Sequence, residues 1–243
     1  MSTTTVTVSL SDTLVVREVF GPTVQGEGPS TGRRCAFIRL GGCNLTCHWC
    51  DTPETWDASR FDLRATLTRR TVEQIVTRAL DGEPGMVVIT GGEPLLHQQQ
   101  DGWLSLLAAL TFAGTEVEVE TNGTQTPTEP TARLVTRFNV SPKLAHAGDP
   151  AAKRIRPEAL RALHATGKAA FKFVCQGPDD LREVQDFTTA HALDPARVWV
   201  MPEGTDTPTL CARLAEIADP AIAAGFNITT RLHVHAWGDE KGH

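Results

Sequence analysis

Gly41-Gly-Cys-Asn-Leu-Thr-Cys-His-Trp-Cys-Asp-Thr52 places three cysteines, Cys43, Cys47 and Cys50, within eight residues. Three thiolates at Cys-x3-Cys-x2-Cys spacing can hold three corners of a cubane iron–sulfur cluster and leave the fourth iron without a protein ligand. A cluster that only carries electrons normally has four protein ligands. An open iron is therefore a coordination site for a small molecule. Two plainer readings compete. Part of a zinc site is one, although such sites use four ligands at other spacings, and His48, lying between two ligands, cannot easily fold back onto the same metal. A disulfide framework is the other, but it belongs to small secreted domains.

The flanking sequence sets the frame of this loop. Cys35-Ala-Phe-Ile-Arg-Leu40 reads as a strand entering it. Residues 71–80 have helical spacing of Val72, Ile75, Val76 and Leu80, with Thr71 as the cap. Residues 86–90 form a buried strand ending in Gly91-Gly92, residues 95–110 a helix, and residues 116–120 an alternating strand that stops at Asn122-Gly123. Strands over 138–140, 169–174 and 198–200 then alternate with helices over 157–165, 179–190 and 207–218. Residues 60–70 are polar and irregular, and the Ser/Thr-rich residues 1–12 read as a flexible tail. Repeated βα units predict an α/β fold with a parallel sheet covered by helices. No repeat or long linker interrupts them, so residues 13–243 read as one domain. The chain is short for eight units at about 250 residues plus loops. About six parallel strands make a partial barrel, open on one side.

Ligands of parallel α/β folds bind at the carboxyl ends of strands, and unusual residues fall there repeatedly. They are the cysteine loop, Thr90-Gly-Gly-Glu-Pro94, Glu120-Thr-Asn-Gly123, Ser141-Pro-Lys143 and Met201-Pro-Glu-Gly204. Each alone also makes an ordinary turn, and Ser141 and Lys143 alone read equally as a cap and a solvated charge. In register with the strand ends, they outline one pocket.

The cysteine spacing and these strand ends resemble radical-SAM enzymes, in which S-adenosylmethionine (SAM) binds the open iron through its amino and carboxylate groups. Gly91-Gly-Glu-Pro94 resembles the motif whose backbone holds the methionyl amine. Glu18-Val-Phe-Gly-Pro-Thr-Val-Gln-Gly-Glu-Gly28, Arg39 and Cys50-Asp-Thr52 narrow the likeness, as do Glu-Thr-Asn-Gly, Ser-Pro-Lys and the closing His-x3-Trp-Gly-Asp. Together they resemble the 7-carboxy-7-deazaguanine synthase family over most of the chain. That resemblance implies a radical-SAM partial barrel and a ring-contracting carbon–nitrogen lyase. It would convert 6-carboxy-5,6,7,8-tetrahydropterin to 7-carboxy-7-deazaguanine with loss of ammonia, in 7-deazapurine biosynthesis of the queuosine type. The implied cofactors are a 4Fe-4S cluster on Cys43, Cys47 and Cys50, SAM, and Mg²⁺ on Thr52. The implied partners are a flavodoxin-type or other reductant and a second copy of the chain.

Residue by residue, the resemblance carries over catalytic roles for Arg39, Thr52, Gln25 and Glu27. Val24, Gln25, Gly26, Arg39, Thr90 and His243 match substrate positions. Trp49, Cys50, Asp51, Gly92, Glu93, Ser141, Pro142, Lys143, Met201, Pro202, Glu203 and Gly204 match SAM positions. By itself Thr52 reads as a turn hydroxyl, and Glu27 reads either as closing its turn or as holding the pterin's amide and amine edge. His233 and His235, two apart, would share a face if they lie on a strand, but no third metal ligand is near and a structural role is expected. Competing functions are a glycyl-radical-enzyme activase, which would leave Gln25, Glu27, Arg39 and Thr52 without purpose, and a non-enzymatic zinc-binding module.

Composition bounds the rest. Apolar residues make up 40%, charged residues 21%, and the net charge is −6, as in an ordinary soluble globular protein. No basic excess favours nucleic acid, and no apolar run approaches the roughly 18 residues of a membrane span. The start, Met1-Ser-Thr-Thr-Thr, has neither basic region nor apolar core, so no signal peptide is expected. Six cysteines, three of them clustered, fit a reducing, cytoplasmic setting. Cys35, Cys175 and Cys211 are expected to be buried small hydrophobes.

Overall fold

The structure is a computed structural model and describes residues 8–242. Among the described residues nine strands form one sheet: β1 (Thr13–Val24), β2 (Arg34–Leu40), β3 (Thr68–Thr71), β4 (Met86–Gly91), β5 (Glu116–Thr121), β6 (Arg137–Val140), β7 (Ala169–Cys175), β8 (Val198–Pro202) and β9 (Asn227–Ile228). Their order is β3-β1-β2-β4-β5-β6-β7-β8-β9. From β2 to β9 the pairing is parallel, while β1 runs antiparallel to both β2 and β3. The sheet does not close. Six parallel strands of four or more residues, plus the two-residue β9, make the expected open partial barrel.

The helices are α1 (Leu63–Thr66), α2 (Val72–Ala79), α3 (Asp101–Phe112), α4 (Glu129–Leu134), α5 (Ala151–Arg154), α6 (Pro157–Ala165), α7 (Pro178–Ala190), α8 (Thr207–Ala223) and α9 (Leu232–Trp237); α9 reaches the interior through His233, and α2, α3, α6, α7 and α8 cover the outer face. The main core lies between them and the sheet, where Val87, Ile89, Val119, Phe138, Phe171 and Val200 meet Ile75, Trp103, Leu106, Leu163 and Val184. Each such side chain contributes about 1.5–3 kcal/mol by leaving water. Trp103 is fully buried, with its indole N–H donating to Thr131 Oγ1 at 2.9 Å. Thr71 caps α2 in a reciprocal box with Gln74, as its sequence predicts. Among the described residues no helix is long and apolar enough to cross a membrane.

The structure departs from the sequence reading in several places. The helix expected over 95–110 is a short 3₁₀ turn, Pro94–His97, followed by α3. Between them the Gln98 side chain leaves to donate to Thr126 O and accept from Thr128 N–H. Residues 60–70 are not irregular throughout, because they hold α1 and most of the edge strand β3. Residues 116–120 do not alternate in burial: Val117, Glu118 and Val119 are all buried, since both faces of the sheet are covered. Of the expected tail, residues 1–7 lie outside the described residues. Ser9 N–H donates to Ser105 Oγ, and Leu10 O and Asp12 O accept from α2 amides. Cys35 and Cys175 are buried as expected, but Cys211 is exposed on the outer side of α8. His233 and His235 lie on α9, not on a strand, so they do not share a face.

Candidate active site

The carboxyl ends of the strands surround one cavity of about 840 Å³. Register explains what it is made of, because residues paired across parallel strands share a face. Phe37 pairs with Val88, Arg39 with Thr90, Glu118 with Arg137, Glu120 with Asn139 and Lys172 with Trp199. The interior therefore divides. Phe20, Cys35, Phe37, Met86 and Val88 form an apolar half, and Glu118, Glu120, Asn139 and Lys172 a polar half.

The cysteine loop is sewn to three neighbouring strand ends. Gly92 N–H donates to Leu40 O at 3.2 Å and Glu93 N–H to Gly42 O at 2.8 Å. The two double-glycine turns thus lie back to back, and a Cβ at Gly91 or Gly92 would run into the backbone of Leu40 or Gly42. From β5, Asn122 Nδ2 donates to Asn44 Oδ1, and Asn44 Nδ2 to Thr124 Oγ1. After β6, His48 N–H donates to Ala147 O, and Asp149 accepts from the Thr46 amide and hydroxyl.

All three loop thiols are free and line the cavity. Leu45 N–H is directed at Cys43 Sγ, and Trp56 Nε1–H at Cys50 Sγ at 3.3 Å. Burial pushes the Cys43 thiol up to about 11, despite the Leu45 amide, and also raises Cys47. Among the described residues no three His, Cys, Asp or Glu side chains are gathered to hold a single ion. The thiols instead surround an open space with N–H groups aimed at the sulfurs, an arrangement that suits an iron–sulfur cluster.

Trp49 lies between Lys143, whose ammonium sits 5.3 Å from the ring centroid, and His146, which accepts its indole N–H at 2.9 Å. Lys143 Nζ also donates to Ser141 Oγ. Gly92, Ser141, Lys143, Met201, Glu203 and Gly204 line the cavity together with the cysteines. Three matched positions do not: Glu93, Pro142 and Pro202 are absent from the lining. Glu93 is fully buried and spends its carboxylate on Leu95 N–H, Asn122 N–H and the Thr121 hydroxyl. It is a brace for two strand ends, and burial raises its carboxyl despite those bonds.

Gln25, Gly26, Arg39 and Thr90 also line the cavity, as expected, and Glu120 joins Gln25 to Thr90. Arg39 Nε donates to Glu18 Oε1 at 2.8 Å and its guanidinium lies 5.7 Å from the Phe20 ring centroid. Thr52 is buried, its hydroxyl 3.9 Å from Cys50 Sγ. Val24 does not line the cavity, and His243 lies outside the described residues. Glu27 does more than close a turn: its carboxylate binds Lys172 and, at 2.9 Å, Arg231. Burial alone would raise its carboxyl, but the two cations hold it far below the usual carboxylate range.

Glu120, expected at the pocket from its strand end, does line the cavity, but sequence reasoning missed Asn139, Lys172, Arg231 and His233 as cavity residues. Lys172 had a signal, a lone charge inside the apolar run Ala-Phe-Lys-Phe-Val. Glu120 accepts from Gln25 Nε2 at 3.1 Å and Thr90 Oγ1 at 2.6 Å. Arg231 bridges Glu27, Asp51 Oδ2 at 2.7 Å and Gly204 O. His233 packs against Gly26, where any Cβ would collide with its imidazole. Burial lowers the His233 pKa, which favours the neutral ring.

The sequence pattern of the Radical SAM superfamily matches residues 37–195. A 7-carboxy-7-deazaguanine synthase from Pyrobaculum aerophilum is 39% identical over 228 residues, covering 93% of this chain and 96% of the relative. The Bacillus subtilis 7-carboxy-7-deazaguanine synthase is 31% identical, covering 93% and 97%. The crystal structure of QueE from Escherichia coli aligns with a TM-score of 0.66 at 26% identity, covering 91% of this chain and 95% of that one. Full-length similarity of this kind, on a cavity ringed by the three cysteines, means that the chain belongs to the 7-carboxy-7-deazaguanine synthase family of the radical SAM superfamily.

Proposed function

We propose that this chain is a lyase converting 6-carboxy-5,6,7,8-tetrahydropterin to 7-carboxy-7-deazaguanine with loss of ammonia, in 7-deazapurine biosynthesis of the queuosine type. The observation that carries the reading is the divided interior, with the cysteine loop and the Arg39/Thr52 pair at its rim. Cys43, Cys47 and Cys50 would hold a 4Fe-4S cluster. When bound, the cluster and SAM would supply radical hydrogen-atom transfer chemistry at C6 of the substrate.

The chain's own residues supply binding and orientation. Phe20 and Phe37, stacked with centroids 5.0 Å apart, form an apolar wall for a flat ring. Glu120, whose two oxygens already accept from Gln25 and Thr90, faces the ring's N–H donors. The Nη groups of Arg39 make no hydrogen bond among the described residues and can grip the C6 carboxylate bidentately. Thr52 offers one hard oxygen beside Cys50, which suits Mg²⁺, an ion that keeps most of its waters and takes few protein ligands. Mg²⁺ held there would supply a second positive charge for the same carboxylate. A carboxylate held twice keeps C6 at one position, which selective hydrogen transfer needs. The Glu27–Lys172–Arg231 network ties the Gln25-Gly-Glu27 turn to β7 and to Asp51.

The same reading takes residues 13–243 as one domain, with a flavodoxin-type or other reductant, a homodimer and a cytoplasmic setting. The test is anaerobic incubation of reconstituted protein with the carboxytetrahydropterin, SAM, Mg²⁺ and dithionite, followed by mass spectrometry. The expected product has lost one nitrogen while SAM is conserved over many turnovers. One-for-one accumulation of 5′-deoxyadenosine with unchanged pterin would overturn the proposal.

A further inference from the structure

Trp49, one residue before Cys50, is only partly buried and lines the cavity. His146 does not line it, yet holds this ring by its edge. Trp49 Nε1–H donates to His146 Nδ1 at 2.9 Å, and His146 Nε2 lies 3.1 Å from Val174 O. An indole nitrogen only donates and a carbonyl oxygen only accepts. The imidazole therefore carries its proton on Nε2, and both of its nitrogens are committed. Lys143 Nζ, 5.3 Å from the Trp49 ring centroid, donates to Ser141 Oγ. The indole is thus joined to two strand ends, to β6 through Lys143 and Ser141 and to β7 through His146 and Val174.

The turn Ala145–Ala147 that carries His146 is anchored independently of Trp49. Ala145 N–H donates to the Glu183 carboxylate of α7 at 3.0 Å, and Ala147 O accepts from His48 N–H at 3.0 Å. At Gly148 an added Cβ would collide with the His48 ring. The ring that His146 holds borders apolar lining. Val174 and Met201 pair in register across β7 and β8, so their side chains share a face, and both line the cavity. With Trp49 they offer apolar surface to a flat ring, separate from the Phe20–Phe37 wall assigned to the substrate. SAM has one such ring. Its amino and carboxylate groups are spent on the open iron, whereas its purine needs a flat apolar surface.

We propose that His146 is a positioning residue for the purine end of SAM, fixing through the Trp49 N–H the ring against which the base lies. The inference rests on the SAM reading above and is independent of which substrate the radical acts on. Groups that touch a ligand are effective when their own rotamers are locked by the contacts behind them. Releasing Trp49 should therefore loosen the purine end of SAM and leave the methionyl end alone.

The test is equilibrium dialysis of SAM and of methionine against the anaerobic, cluster-loaded holoenzyme, with iron content as the check on folding. His146→Phe keeps a flat ring and removes the acceptor. It is expected to weaken SAM binding about fivefold to tenfold, the equivalent of one hydrogen bond, with methionine binding unchanged. His146→Gln, whose amide can accept from Trp49 and donate to Val174 O, should restore most of the affinity. In a Trp49→Phe background, where the N–H is gone, His146→Phe should have no further effect. Wild-type SAM affinity in a folded His146→Phe protein overturns the proposal. So does an equal loss of SAM and methionine, a Gln variant as weak as the Phe variant, or an undiminished effect in the Trp49→Phe background. Should His146→Phe lose its iron, Trp49→Phe decides, and wild-type SAM affinity in that variant is the overturning result. A wild-type holoenzyme that binds no SAM overturns the SAM reading itself, and this inference falls with it.

Discussion

Trp56 Nε1 lies 3.3 Å from Cys50 Sγ, so the indole N–H donates to one of the three cluster-loop sulfurs. A hydrogen bond to a ligating sulfur draws off electron density and favours the reduced cluster. Trp56→Phe keeps the ring and removes the donor. The reduction potential of the reconstituted cluster is expected to fall by roughly 20–60 mV, the one-electron equivalent of about 0.5–1.5 kcal/mol. Spectroelectrochemical titration reads it, and an unchanged potential would show that the contact does not act on the cluster.

Cysteine substitutions separate ligands from spare thiols. Cys43→Ala, Cys47→Ala and Cys50→Ala should each abolish the iron–sulfur absorbance and the activity. Cys35→Ala, Cys175→Ala and Cys211→Ala should keep both, with iron content close to four per chain. Loss of the absorbance on removing the exposed Cys211 would contradict the ligand set.

The back-to-back glycine turns give a steric prediction. In Gly92→Ala the Cβ runs into the Gly42 backbone, which must shift and take Cys43 with it. Iron retained after desalting should drop well below the wild-type content. Gly85→Ala, where nothing lies within 4 Å, is the control and should retain it fully.

Arg39 and Thr52 are expected to act on the substrate carboxylate. Losing one charge-assisted contact costs about 1.5–3 kcal/mol, or roughly one to two orders of magnitude in kcat/KM. Arg39→Ala and Thr52→Ala should lose that much while keeping the cluster and SAM binding, and Thr52→Ala should respond less to added Mg²⁺. A Thr52→Ala enzyme with the wild-type rate and Mg²⁺ response returns Thr52 to the status of a turn hydroxyl.

The Glu27–Lys172 pair predicts a pH dependence of stability. The Glu27 carboxyl is held below its ordinary 4.5, so its contribution is complete above about pH 4.5 and fades as the pH falls through the lower folded value. Lys172 is raised above its ordinary 10.5, chiefly by Glu27 against the opposing effect of burial. Its contribution is complete below that value and fades at higher pH. Glu27→Gln leaves two buried cations short of a carboxylate, a loss of about 3–5 kcal/mol. Tm at pH 7 should fall on the order of ten degrees, with the gap to wild type narrowing from pH 5 to pH 3. A gap constant over that range would mean the ion pair contributes nothing.

Local chemistry was legible because it is written in short stretches. The cysteine spacing, the Thr71 cap of α2 and the succession of β4, β5, α6, β7, α7 and β8 depend on neighbours a few residues away. Pattern and propensity alone determine them, and the family resemblance lay in such contiguous motifs. The helix expected over 95–110 broke because Gln98 bonds to a loop 28 residues away, which no local pattern contains. The status of Glu27 and Glu93 was likewise a matter of tertiary structure. Whether a carboxylate faces substrate, braces two strand ends or neutralises two cations depends on partners up to 204 residues distant. Such partners meet only when the parallel strands stack in register, because register decides which side chains share the interior face. The sequence by itself determined the cluster loop, the βα alternation and the family. The divided cavity, the brace made by Glu93, and the hold of His146 on Trp49 were decided by the folded sheet.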